Sequence, residues 1–144
     1  MFTISRGGKN YKAVTLPKQY APIDDLHSER EETYPMKWLS LHIGGQLWGV
    51  YLVNPGHWRL QDETEHVFGI NYPDECRIYL ARGQSEQAFE DTLLHELLHA
   101  SLAVSGAAHE IGNARKEETI VRSLTPVLHR LLKDLGFKFL KHKE

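Results

Sequence analysis

His95, Glu96 and His99 lie in the run Leu93-Leu-His-Glu-Leu-Leu-His-Ala100, and their spacing is that of a metal centre with its own base. On an α-helix, residues four apart are about 40° from one another and one turn apart, so both imidazoles can meet a single ion. Glu96 follows His95 directly, where its carboxylate can reach a metal-bound water without ligating the metal. Leu93, Leu94, Leu97, Leu98 and Ala100 fill a broad apolar arc around the pair, which predicts a helix buried on nearly every side. A buried imidazole loses its water and needs a partner; one metal ion satisfies both rings.

Zinc takes a third protein ligand and leaves one position open for water. The candidates are Glu117, Glu118 and His109. At about 100° per residue, Glu117 falls near the middle of the stripe formed by Val121, Leu124, Leu128 and Leu135, and Glu118 at its edge. A carboxylate in the middle of a buried face is costly unless paired or bound to a cation, so Glu117 is the preferred third ligand. Glu118 fits a solvated first turn that complements the helix dipole. His109, in the connection, and Tyr72 are candidate donors to the oxyanion of a tetrahedral intermediate.

These residues need elements to hold them. Lys37 to Val53 carries two β-favouring runs around Gly44-Gly45, a hairpin signal because a tight primed turn needs positive φ. Val67 to Tyr72 and Arg77 to Ala81 read as two more strands around Pro73-Asp74, about four in all. The strand Arg77 to Ala81, just before the site helix, is expected to hold an extended substrate by main-chain pairing. The period then becomes helical from about residue 85 to Val104, with Ser85 as the start and Ser105-Gly106 as the stop. A second helix from about Arg115 to Leu135 carries Ile120, Val121, Leu124, Val127, Leu128, Leu131 and Leu135 on one stripe, with Pro126 as an interior blemish and Gly136 as its stop.

The expected organisation is an irregular N-terminal arm, residues 1–33, followed by one domain, residues 34–144. The arm's apolar Tyr11, Val14, Leu16 and Tyr20 would allow it to act as a strap. A net charge of −2 provides no field for a phosphate backbone or an anionic bilayer, so neither nucleic acid nor membrane is an expected partner. Cys76 is the single cysteine, which excludes a disulfide framework and any zinc site built on several thiolates. With no signal-peptide run near Met1, a cytoplasmic location is expected. A phosphate loop, a nucleophile elbow and a Cys-His pair are all missing from the sequence. The histidine that would complete a metzincin pattern is replaced by Ser105.

Thr92 to Ala100, Ser105-Gly106 and Glu117-Glu118 leading into Ile120, Val121 and Leu124 resemble the compact gluzincin-like metallopeptidases of the ImmA/IrrE type and related short phage zincins. SprT-like peptidases are a weaker match, since His109 can mimic their third histidine but the Gly-x-x-Trp that trails it is missing. The resemblance covers about residues 67 to 135 and departs from the family in lacking a recognisable DNA-binding helix-turn-helix. It implies an α+β zincin-like core, Zn²⁺ held by His95, His99 and a Glu at 117 or 118, Glu96 as general base, and a peptide or protein substrate. The competing expectation is a non-catalytic binding or regulatory protein that keeps a structural zinc.

Overall fold

The computed structural model describes residues 5–6, 9–10, 35–62 and 65–139. Most of the expected arm lies outside these residues; within it, Ser5–Arg6 and Lys9–Asn10 form a small antiparallel ladder. The rest is an α+β arrangement: a four-stranded mixed sheet with helices on one face. Its strands are β1 (Met36–Ile43), β2 (Gln46–Val53), β3 (Gly69–Tyr72) and β4 (Arg77–Ala81), in the spatial order β1-β2-β4-β3. The helices are α1 (Glu86–Ser105), the short α2 (Ala107–Ile111) and α3 (Ala114–Asp134).

The hairpin β1–β2 closes at Gly44 and Gly45, both with positive φ. Gly44 serves packing as well as the turn, since a Cβ there would lie 2.1 Å from Cγ1 of Val104 on α1. β2 pairs in parallel with β4, and β4 pairs antiparallel with β3 through the one-turn helix Pro73–Glu75. Cys76 follows that turn with φ 54° and half-buries its side chain against the core, a packing role consistent with a lone cysteine.

Side-chain alternation gives the sheet two different faces. Trp38, Trp48, Val50, Leu52, Ile78 and Leu80 turn toward Phe89, Leu93, Leu94 and Ala100 of α1 and form the main core, with Phe139 closing one end. Tyr79, Ala81, Val53 and Leu60 form a second cluster, with Tyr51, Ile70 and Tyr72 packed against it.

Two expectations change here. β4 is not open to a substrate strand, because β2 and β3 take both of its edges. Among the described residues the edge beside the site helix belongs to β3. The helix α3 buries only part of its apolar stripe: Val121 is buried and Leu128 packs partly buried against the core. Its buried residues are Val121, Thr125 and His129, spaced by four, whereas Ile120, Leu124, Val127, Leu131 and Leu135 are exposed. Contact with α1 has selected a face rotated away from the hydrophobic one. Pro126 sits on the exposed side of a helix that runs on through it.

Candidate metal centre

Each functional side chain is fixed by a local device. α1 begins where the Ser85 side chain accepts the Ala88 N–H at 3.2 Å and ends at Gly106 in the left-handed conformation. This sets the one-turn spacing of His95 and His99, whose ring centroids are 4.9 Å apart. α3 begins at Asn113, whose side chain accepts the Lys116 N–H at 2.8 Å, so Glu117 and Glu118 emerge in its first two turns opposite the histidines.

Glu118 Oε1 lies 3.1 Å from His95 Nε2 and 2.8 Å from His99 Nε2, and ligand atoms of His95, His99 and Glu118 all fall within 4.8 Å of one another. Glu117, the residue preferred from sequence as third ligand, instead places Oε2 2.5 Å from His99 Nδ1. The two nitrogens lie on different edges of the imidazole, so Glu117 is on the side of His99 turned away from the shared space. The cause is the rotation of α3. Relative to the face centred on Val121, Thr125 and His129, Glu118 is about 20° from the middle and Glu117 about 80°.

Glu96 is buried and outside the ligand cluster, as a base must be. Its Oε1 accepts a 2.9 Å hydrogen bond from Asn71 Nδ2 on β3. Sequence reasoning missed Asn71, although strand alternation puts it on the face of Gly69, opposite to Ile70 and Tyr72. Gly69 is the close-approach point: a Cβ there would meet Thr92 Cγ2 at 2.4 Å and Glu96 Cγ at 3.1 Å. The same alternation removes Tyr72 as an oxyanion donor, since its hydroxyl donates to the Arg59 carbonyl at 2.6 Å on the far face of the sheet. His109 is exposed on α2, outside the ligand cluster and the cleft linings, so it neither completes nor closes the centre.

Two adjoining cleft lobes, of about 460 and 580 Å³, meet at His95, Glu96 and Glu118 beneath the edge of β3. Arg122 lines both and donates to Glu118 Oε2 at 3.0 Å. A second polar cluster, also missed from sequence, fastens α3 to α1. The fully buried Glu90 has Oε1 2.9 Å from His129 Nε2 and 3.2 Å from Lys133 Nζ, and His129 Nδ1 is 3.4 Å from Asp91.

Burial pushes the Glu96 carboxyl above its ordinary value, against the Asn71 hydrogen bond and the nearby histidines, which favour the charged form. Burial pulls His99 down, but the carboxylates of Glu117 and Glu118 outweigh it and hold the imidazole above its ordinary 6.5. Burial pushes Glu118 up, and the hydrogen bond and charges of the histidines outweigh it, leaving it below its ordinary 4.5. By linkage, the His99 contribution to stability is complete below pH 6.5 and lost as pH rises through the folded value. The Glu118 contribution is present above pH 4.5 and lost as pH falls through its lower folded value. Glu96 prefers its proton in the fold, so ionising it removes stability as pH rises above 4.5. Melting of the chelator-treated protein should therefore shift to lower temperature as pH rises above about 6.5. A melting temperature that climbs over that interval would contradict these assignments.

No helix among the described residues is long and apolar enough to cross a membrane. Compared with family models, curated proteins and solved structures, the chain matches none of them.

Proposed function

We propose that the protein is a zinc-dependent metallopeptidase of zincin-like design, in which His95, His99 and Glu118 hold the metal and Glu96 is the general base. The observation that carries this reading is the donor set. Two imidazole Nε2 atoms and one carboxylate oxygen converge on a common point, a second acid stands buried beside them, and a cleft opens over all four groups. Two histidines and a glutamate are a common catalytic zinc set, and three ligands leave a position for water and substrate.

Zinc held there would supply an acidified water and polarise the scissile carbonyl. Glu96, made more basic by burial, is placed to accept a proton at its carboxylate and return it to the leaving amine. Asn71 holds one carboxylate oxygen of Glu96, so the base does not drift toward the ligands. The outer edge of β3 offers main-chain groups to an extended chain lying along the two lobes, in place of β4. Arg122 is the one Lys or Arg among the described residues lining the two lobes.

The test is hydrolysis of an unfolded protein mixture followed by mass spectrometry. Cleavage that disappears with a chelator and returns with zinc supports the proposal; zinc-loaded protein that cleaves no peptide bond overturns it in favour of a metal-holding binding protein.

A further inference from the structure

We infer that Glu117 is a positioning residue, which fixes the ring and tautomer of His99 so that Nε2 presents its lone pair to the metal. This rests on the proposed metal centre and adds to it a residue outside the ligand set. The carboxylate of Glu117 reaches His99 Nδ1 at 2.5 Å, with both side chains largely buried, at 19% and 15% exposure. Ionised carboxylates only accept hydrogen bonds, so the nitrogen facing Glu117 must carry the proton. The remaining nitrogen, Nε2, is the one that faces Glu118, and His95 also turns Nε2 to that same carboxylate.

Adjacent glutamates therefore divide two tasks. Consecutive residues on a helix diverge by about 100°, and this places one carboxylate at each nitrogen of a single imidazole. The geometry depends on where α3 starts. Asn113 accepts the Lys116 N–H with its side chain and the Glu117 N–H with its carbonyl, at 2.8 and 3.1 Å, so one cap sets the direction of both acids. A carboxylate behind a metal-bound histidine raises the basicity of the ligand and removes the cost of ordering its ring. Loss of such a partner typically weakens metal binding about 10–100-fold. It also explains why the sequence offers two acids where zinc needs one.

The experiment is zinc titration against a competing chelator for the parent, Glu117→Ala, Glu117→Gln and Glu118→Ala, with proton NMR of the histidine ring N–H groups. Glu117→Ala should still bind one zinc, about 10–100-fold more weakly, and should lose the slowly exchanging Nδ1–H signal of His99. Glu117→Gln keeps an acceptor oxygen and should recover most of the affinity and the signal. Glu118→Ala should lose far more affinity while keeping the Nδ1–H signal in the metal-free protein. Parent-like affinity in Glu117→Ala, or a Nδ1–H signal that survives it, would overturn the inference and leave the centre standing. A parent that binds no zinc would overturn the inference and the proposed centre together.

Discussion

Replacing Glu96 by Gln should leave the zinc content unchanged and lower peptide hydrolysis by about 10²–10⁴-fold, the contribution typical of a positioned general base. The substitution is nearly isosteric, and the amide oxygen can still accept from Asn71, so the packing against Gly69 and Thr92 survives. What disappears is the group that takes a proton. His95, His99 and Glu118 keep their geometry because Glu96 is not among the ligand atoms that converge. Kinetics on zinc-loaded protein, alongside its metal content, separate the two roles. Full activity in Glu96→Gln would remove Glu96 as the base, and loss of zinc would make it a ligand.

Glu90→Ala is the second large effect, and it acts on the frame that supports the centre. Glu90 is fully buried and bridges α1 to α3 through His129 and Lys133. Removing Glu90 leaves the buried His129 without that hydrogen-bonded partner, a loss of about 3 kcal/mol. This is a large fraction of the stability of a domain this size. Urea unfolding monitored by circular dichroism should show a midpoint shift of that size, with Glu90→Gln intermediate. Asp91 and His95 follow Glu90 on the same helix, so loosening this contact should also weaken zinc binding, since Glu118 reaches the histidines only while α3 keeps its rotation against α1. A loss below about 1 kcal/mol would mean that apolar packing alone sets that rotation.

The elements were legible where local chemistry is strong. The Gly44-Gly45 turn, the Ser85 cap and the Gly106 stop each lie within a residue or two of their expected places, because capping and positive φ are local requirements. The strand pair around Pro73-Asp74 was legible for the same reason. Sheet order was not. It depends on long-range pairing between β2 and β4, which is why the expected docking strand proved to be an interior one.

The same division runs through the centre. The spacing of His95 and His99 exposed the histidine pair, a consequence of helix periodicity alone. The choice between Glu117 and Glu118 depended on how α3 is rotated, and there hydrophobic periodicity misleads. The apolar stripe of Ile120, Leu124, Val127 and Leu131 stays exposed, while His129 turns inward to meet Glu90 and Thr125 is buried on the same face, its hydroxyl donating to the Val121 carbonyl of its own helix. Buried polar contacts, which no periodicity reveals, set the face. Asn71 was missed because one polar residue in a four-residue strand gives no signal until the facing carboxylate is known.

Elemental analysis of untagged, chelator-rinsed protein after zinc reconstitution, beside its His99→Ala and Glu118→Ala variants, tests the centre most directly. One zinc per chain is expected in the parent and none retained in either variant after the same rinse. A parent without zinc, or a Glu118→Ala variant that holds it as firmly as the parent, would contradict the claim that these three side chains form the metal centre.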